Sequence, residues 1–193
     1  MNTKRKAIYG IGVNDYVGRI KENGKHIPAY RSWVSMLSRC YSKTALNHRP
    51  SYIGCSVCDE WLVFSNFKQW FDNNYVKGYH LDKDLLVKGN KVYSPETCCF
   101  VPKEINCFLL ESNASRGISG IKGVYKTKYN TYIAGYSENG QRIHLGSFKT
   151  LNLAESAYQK SKEKRAKILA QKYYDNNLID EKVYKSLLNY KAY

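Results

Sequence analysis

Thr131-Tyr132-Ile133-Ala134-Gly135-Tyr136-Ser137-Glu138-Asn139-Gly140-Gln141-Arg142-Ile143-His144-Leu145 is the stretch whose reading decides the fold. Two runs rich in Tyr, Ile and Leu flank Asn139-Gly140, a dipeptide suited to a tight hairpin because both residues accept a positive φ. Gly123-Val124-Tyr125-Lys126 supplies a third short strand upstream. Downstream, Asn152 with Glu155 predicts a helix cap. Ala154, Ala157, Tyr158, Ser161, Arg165, Ile168 and Leu169 then predict a helix whose apolar face covers one side of the sheet. The expected result is a three-stranded antiparallel sheet packed on one helix.

Strand alternation divides the side chains between the two faces. With Ile143 and Leu145 turned to the helix, Arg142 and His144 point to the open side. Tyr132, Ala134 and Tyr136 fall on the inner face, and Thr131, Ile133, Gly135 and Ser137 on the outer. Tyr125 stands on the first strand, with Lys122, Lys126 and Lys128 around it.

Charge agrees with a polyanionic partner for that face. The 193 residues carry 31 Lys+Arg against 16 Asp+Glu, a formal net charge of +15. Residues 116–172 hold twelve of those cations against three acids, a net +9. Self-repulsion on that scale is relieved by a nucleic acid. With 43% hydrophobic residues, 18 Tyr, 6 Phe and 3 Trp, the chain is too rich in large apolar side chains for a disordered basic tail. No apolar run approaches the roughly 18 residues of a membrane span. The basic start, Lys4-Arg5-Lys6, is followed by Gly and an acid before a secretory core can form, and it is expected to act as an arm along a phosphate backbone.

The first half has a different rhythm. Trp33, Met36 and Leu37 recur at helical spacing. Trp61, Phe64, Phe67, Trp70 and Phe71 make a second helix with a heavy aromatic stripe, which is read as core. From Leu81 the chain turns short and extended, with Gly89-Asn90 as a turn, Val92-Tyr93 as a strand fragment and Cys98 to Val101 as an apolar strand. A last helix is expected to begin near Pro102. The Gly- and Ser-bearing stretch before Ile121 marks a linker. The fold class is therefore α+β, in five parts: a basic arm over residues 1–26, a first domain over 27–111, a linker over 112–120, the sheet-and-helix domain over 121–170, and a C-terminal helix over 171–193. Tyr173, Tyr174, Leu178, Ile179, Val183, Tyr184, Leu187 and Leu188 are expected to dock that last helix on its own domain.

Ile121-Lys122-Gly123-Val124-Tyr125, Tyr132-Ile133-Ala134, Arg142-Ile143-His144-Leu145-Gly146-Ser147-Phe148 and Ala154-Glu155-Ser156-Ala157-Tyr158 together resemble the AP2 DNA-binding domain. The resemblance implies a sheet lying in the major groove of double-stranded DNA, with Lys122, Tyr125, Arg142 and His144 in DNA-contacting places. Lys126 and Lys128 join them as cations beside Tyr125. Gly135 and Ser137 depart from the family pattern, in which plant members carry a charged pair.

Trp33 to Tyr41, Cys58-Asp59-Glu60-Trp61 with Phe64 and Phe67, Leu81-Asp82-Lys83-Asp84 with Gly89-Asn90, Tyr93 to Pro102, and Glu104-Ile105-Asn106 resemble the HNH endonuclease-like proteins of phages. That family often carries an AP2-type domain behind the nuclease, and a cytoplasmic place in a bacterial host cell follows. The resemblance implies a ββα-metal domain that nicks or cuts DNA with Mg²⁺ or another divalent cation. It sets Asp82 as metal-binding carboxylate, Asn106 as helical ligand, Lys83 at the general-base position and Thr97 at that of a loop Asn. An ordinary lysine, with a pKa of ~10.4, is a poor base near neutrality, and His80 three residues upstream is the substitute. Asp84 offers a second oxygen to a hard cation. A catalytically inactive DNA-binding regulator or accessory protein on the same scaffold is the alternative, since two of the four signature positions depart from type. Cys55-Ser56-Val57-Cys58 has the spacing of a zinc knuckle that Cys98 and Cys99 would complete, although Cys98 to Phe100 also reads as buried strand.

Overall fold

The structure, a computed structural model, describes residues 6–109, 120–138 and 140–192. It is a mixed α+β chain in two compact units, Met1–Asn106 and Cys107–Tyr193. The division falls within a helix. Of the expected linker 112–120, only Gly120 belongs to the described residues.

In the first unit, α1 (Pro28–Tyr41) begins with a proline whose fixed φ suits a first turn. After α2 (Lys43–His48) come α3 (Asp59–Leu62) and α4 (Phe64–Asn74). The aromatic residues of α1, α3 and α4 form the core: Trp33, Trp61, Phe64 and Phe67 are completely buried. Trp33 stacks at a tilt on Phe64 with centroids 5.2 Å apart, and Trp61 lies 4.6 Å from Trp70. Trp33 also donates its indole N–H to the carbonyl of Trp61 at 2.7 Å, which satisfies a buried polar group where α3 meets α1.

The stretch expected to be a free basic arm is, from Ile8 onward, part of this unit. Its apolar residues give the reason, since Ile8, Tyr16 and Ile20 pack on the core. Val13 bridges the chain at Val63, accepting from Phe64 N and donating to Leu62 O. The Asp15 carboxylate accepts from the amide and the hydroxyl of Ser65, at 3.0 and 2.5 Å. Helix α4 lacks a side-chain cap of its own, so a residue 50 positions earlier fills that role. A small hairpin, β1 (Lys21–Glu22) with β2 (Lys25–His26), closes the segment. Lys4 and Arg5 lie outside the described residues.

Short β-elements complete the unit. β3 (Ser56–Val57) runs parallel to β5 (Val92–Tyr93), and β4 (His80–Asp82) pairs antiparallel with β6 (Cys99–Val101), which leads through Pro102 into α5 (Lys103–Leu109). Phe100 of β6 meets Trp70 and Phe71 of α4, both at 5.3 Å, so the aromatic stripe holds the β4–β6 hairpin.

The second unit is a sheet of order β7-β8-β9 (Val124–Lys126, Tyr132–Glu138, Gln141–Phe148) covered by α6 (Leu151–Asp175). Val124, Ala134, Ala154 and Tyr158 form its buried centre. Thr150 caps α6 by accepting from Leu153 N, so Asn152, expected at the cap, lies inside the helix. α6 runs unbroken past residue 170, and α7 (Glu181–Leu188) folds back on it with Val183 and Leu187 buried. The expected helix over 171–193 is thus the end of α6 followed by a separate short one.

The third strand extends beyond its expected end at Leu145 because of a bulge. Ala134 pairs with Gly146 while Gly135 pairs with His144, leaving Leu145 without a partner. That extra residue resets the alternation, so Leu145 and Phe148, three apart, both pack on the core. Gly146 sits there at φ 141°, a region essentially reserved for glycine, and a Cβ on it would meet the Phe148 ring at 3.0 Å. Gly146→Ala is therefore expected to destabilise this unit by about 1–3 kcal/mol. Urea titration monitored by circular dichroism measures it, and an unchanged midpoint would speak against the bulge.

Candidate nucleic-acid interface

The register settles which side chains share the open face of the second unit. Tyr125, Ile133 and Ser147 stand in one row, His144 stands opposite Gly135, and Arg142 opposite Ser137. Arg142 and His144 are exposed, as the alternation predicts. The Arg142 guanidinium lies over the Tyr125 ring at 4.6 Å from its centroid, although the two residues belong to the outer strands β9 and β7. It reaches across β8 where the intervening positions are Gly135 and Ser137. At Gly135 there is no room for more, because a Cβ would meet the carbonyl oxygen of Ile143 at 2.6 Å. Gly135 and Ser137 thus clear a path for one arginine. Cation–π contact of this kind holds the guanidinium against the face of the ring.

The lysines divide. Lys128 is exposed in the turn after β7, its ammonium 5.1 Å over the Tyr129 ring. Thr127 holds that turn, accepting from the amides of Tyr129 and Thr131 and bonding the Thr131 hydroxyl at 2.8 Å. Lys122 is half-buried just before β7. Lys126 departs from the expectation: its register partner is Tyr132, itself opposite Phe148, so it belongs to the row facing the helix and emerges at the sheet edge.

In the first unit, the residues singled out for cleavage fall on the β4–β6 hairpin, the loop between its strands and α5. His80 and Asp82 alternate on one side of β4, with His80 exposed. Asp82 turns one carboxylate oxygen onto the amides of Asp84 (3.0 Å) and Leu85 (2.8 Å), so it shapes the turn that follows. Lys83 is buried, 5% exposed, and its ammonium donates to Asp84 Oδ1 at 2.5 Å and to the Asn90 carbonyl at 2.9 Å, below the Tyr93 ring. Lys83 therefore ties the loop, its nitrogen turned onto Asp84 and Asn90.

Asn90, read from sequence only as part of a turn, is the residue that holds the loop. Its amide donates to the carbonyls of Lys83 (2.8 Å) and Val92 (2.6 Å) while its Oδ1 accepts from Val92 N. Thr97 adds a hydroxyl bond to the Val92 carbonyl at 2.8 Å and shares another with Ser94. Asn106 lies on α5, its amide bonded to the Pro102 carbonyl.

These groups do not fit a divalent cation as placed. One Asp82 oxygen serves turn amides, and the Asp84 carboxylate faces a fixed ammonium that repels a second cation. Among the described residues no group of three or more His, Cys, Asp or Glu comes together as metal ligands would, the set Cys55, Cys58, Cys98 and Cys99 included. Burial pushes the Cys98 thiol up to about 12 and raises that of Cys58.

Comparison of the chain with protein-family models, curated proteins and solved structures finds no match. What the two surfaces do is therefore argued from their own geometry. Among the described residues no helix is long and apolar enough to cross a membrane.

The role of Asp82 can be tested by charge. Burial holds its carboxyl above the usual 3.8, against the opposing pull of the Leu85 and Asp84 amides. The fold thus disfavours the ionised form, and this group's contribution to stability falls as pH rises from 3.8 through the raised value. Asp82→Asn keeps the turn acceptor and removes the charge, so it is expected to unfold no more easily than the parent at pH 7 and to lose that pH dependence. Asp82→Ala is expected to cost about 1 kcal/mol or more by orphaning two amides. Chemical denaturation between pH 3 and 8 separates the three proteins.

Proposed function

We propose that this chain binds double-stranded DNA through the open face of β7–β9, with the first unit a related but non-cleaving scaffold. The observation that carries the proposal is Arg142 laid across the sheet on Tyr125. The major groove admits β-strands as a ribbon, and an arginine guanidinium offers two parallel donors to guanine O6 and N7. His144 lies beside it on the same face. Lys122 and Lys128 flank β7, where contacts to phosphate set register without reading sequence. The net +9 of residues 116–172 supplies the long-range attraction.

The order of β4, a tied loop, β6 and α5 supports the likeness of the first unit to ββα nucleases, and the engagement of the Lys83 nitrogen with Asp84 and Asn90, at the base position, favours the inactive form. Cleavage with His80 as base and Asp82 on a metal is the second reading, favoured by the exposure of His80 on the strand side that carries Asp82.

Arg142→Ala is expected to weaken binding by about 1–3 kcal/mol and to relax preference at one base pair. Lys128→Ala is expected to weaken all sequences alike and to lower the salt slope by about 0.9. Titrations of fluorescent duplexes over a range of salt measure both, and an Arg142→Ala protein that binds as the parent does would refute the interface. Supercoiled plasmid with Mg²⁺ or Mn²⁺ is expected to stay intact. Nicking that disappears in Asp82→Ala would establish the second reading instead.

A further inference from the structure

Lys172, near the end of α6, lies over the Tyr173 ring, and the other basic residues of the helix sort into two kinds. Those turned inward are engaged: Lys162 is buried, with its ammonium 5.5 Å over the rings of both Phe108 and Tyr190, and Arg165 lies over Tyr136. Lys160, Lys164 and Lys167 form an exposed row at i, i+4 and i+7, on one side of the helix. None of the helix's acids neutralises them. Glu155 holds Gln159, Glu163 pairs with Lys191, and Asp175 holds Gln171. The sheet is covered by the Ala154 and Tyr158 side of α6. At 100° per residue, the lysine row faces away from it.

We infer that this row is a second DNA-binding face, so that one chain holds two duplex segments, one on the sheet and one on α6. The inference rests on the DNA reading of the sheet. The row presents three cations that form no ion pair among the described residues, at a spacing of about 5–6 Å, a linear array suited to the closely spaced charges of a phosphate backbone. The open sheet face and the row lie on opposite sides of a sheet-and-helix layer, separated by the helix itself, about 10 Å across. A short duplex is stiff on that scale, with a persistence length of about 150 base pairs, and does not fold round to touch both. The second face therefore takes a second segment. Exposed Leu153 and Ile168 lie near the row, which makes an anionic lipid surface the competing ligand to be tested.

The test is a sandwich assay. Protein is loaded on an immobilised duplex, and capture of a second, fluorescent duplex is measured, while light scattering of the soluble complex counts chains and duplexes. The parent is expected to capture, with one chain per two duplexes. K160Q/K164Q/K167Q is expected to bind the first duplex within about twofold of the parent and to capture the second about tenfold less. The corresponding triple Lys→Arg variant is expected to capture normally. Capture unchanged in the Gln variant would overturn the inference, as would complexes with two chains per two duplexes. So would a Gln variant whose single-duplex salt slope drops by roughly 2.7, because the row would then share the first duplex. Phosphatidylserine vesicles bound through the row, without capture, would reassign it to membranes. A parent that binds no duplex at all would defeat the DNA reading itself, whereas binding of one duplex without capture defeats only the second face.

Discussion

Leu145 and Phe148 are three residues apart, and a regular strand cannot bury both on one face. The second unit solves this with one unpaired residue, and much of the layout of its open face follows from that. The bulge places His144 opposite Gly135 and leaves Arg142 opposite Ser137. The Ile143 carbonyl crowds Gly135 so closely that no side chain fits there. The lane kept bare by the backbone is the lane Arg142 crosses to reach Tyr125. Core packing on one side of the sheet and the placing of Arg142 on Tyr125 on the other are set by the same irregularity.

The first unit shows the opposite economy, since its polar groups are used up inside. Asp82, Lys83, Asn90 and Thr97 are each bonded to backbone or to one another between β4 and β6. A reacting site needs groups whose lone pairs or protons face a substrate. Here the residues nearest to a cleavage motif hold a loop in shape, and the aromatic core beneath them keeps the hairpin fixed through Phe100. That frame is suited to presenting a surface.

Much of this was legible in the residues. The aromatic stripe, the three strands, the outward Arg142 and His144, and the docking of Val183 and Leu187 follow from periodicity alone. What escaped is non-local or irregular. A bulge leaves no mark in a pattern of period two, so the inward turn of Phe148 was missed, and the edge position of Lys126 needed the pairing partner to be known. Ile168 looked like a core position and is exposed, because α6 passes from the sheet to α7 and the buried side of the helix shifts with its partner. The fixed ammonium of Lys83 depends on Asn90, seven residues away across a loop. The docking of residues 8–26 on the first unit depends on contacts near Val63 and Ser65.

That last dependence bears on how the chain folds. The second unit is assembled from a hairpin meander and the helices that follow, so its loops are short and its search is local. The first unit cannot finish locally, for α4 waits on an acid 50 residues upstream and β4 waits on β6 beyond a long loop. During synthesis, the apolar residues of its beginning stay uncovered until that later chain has left the ribosome. Lys6, Arg19, Lys21 and Lys25, set against Asp15 and Glu22, give that waiting segment a net positive charge, which opposes its self-association.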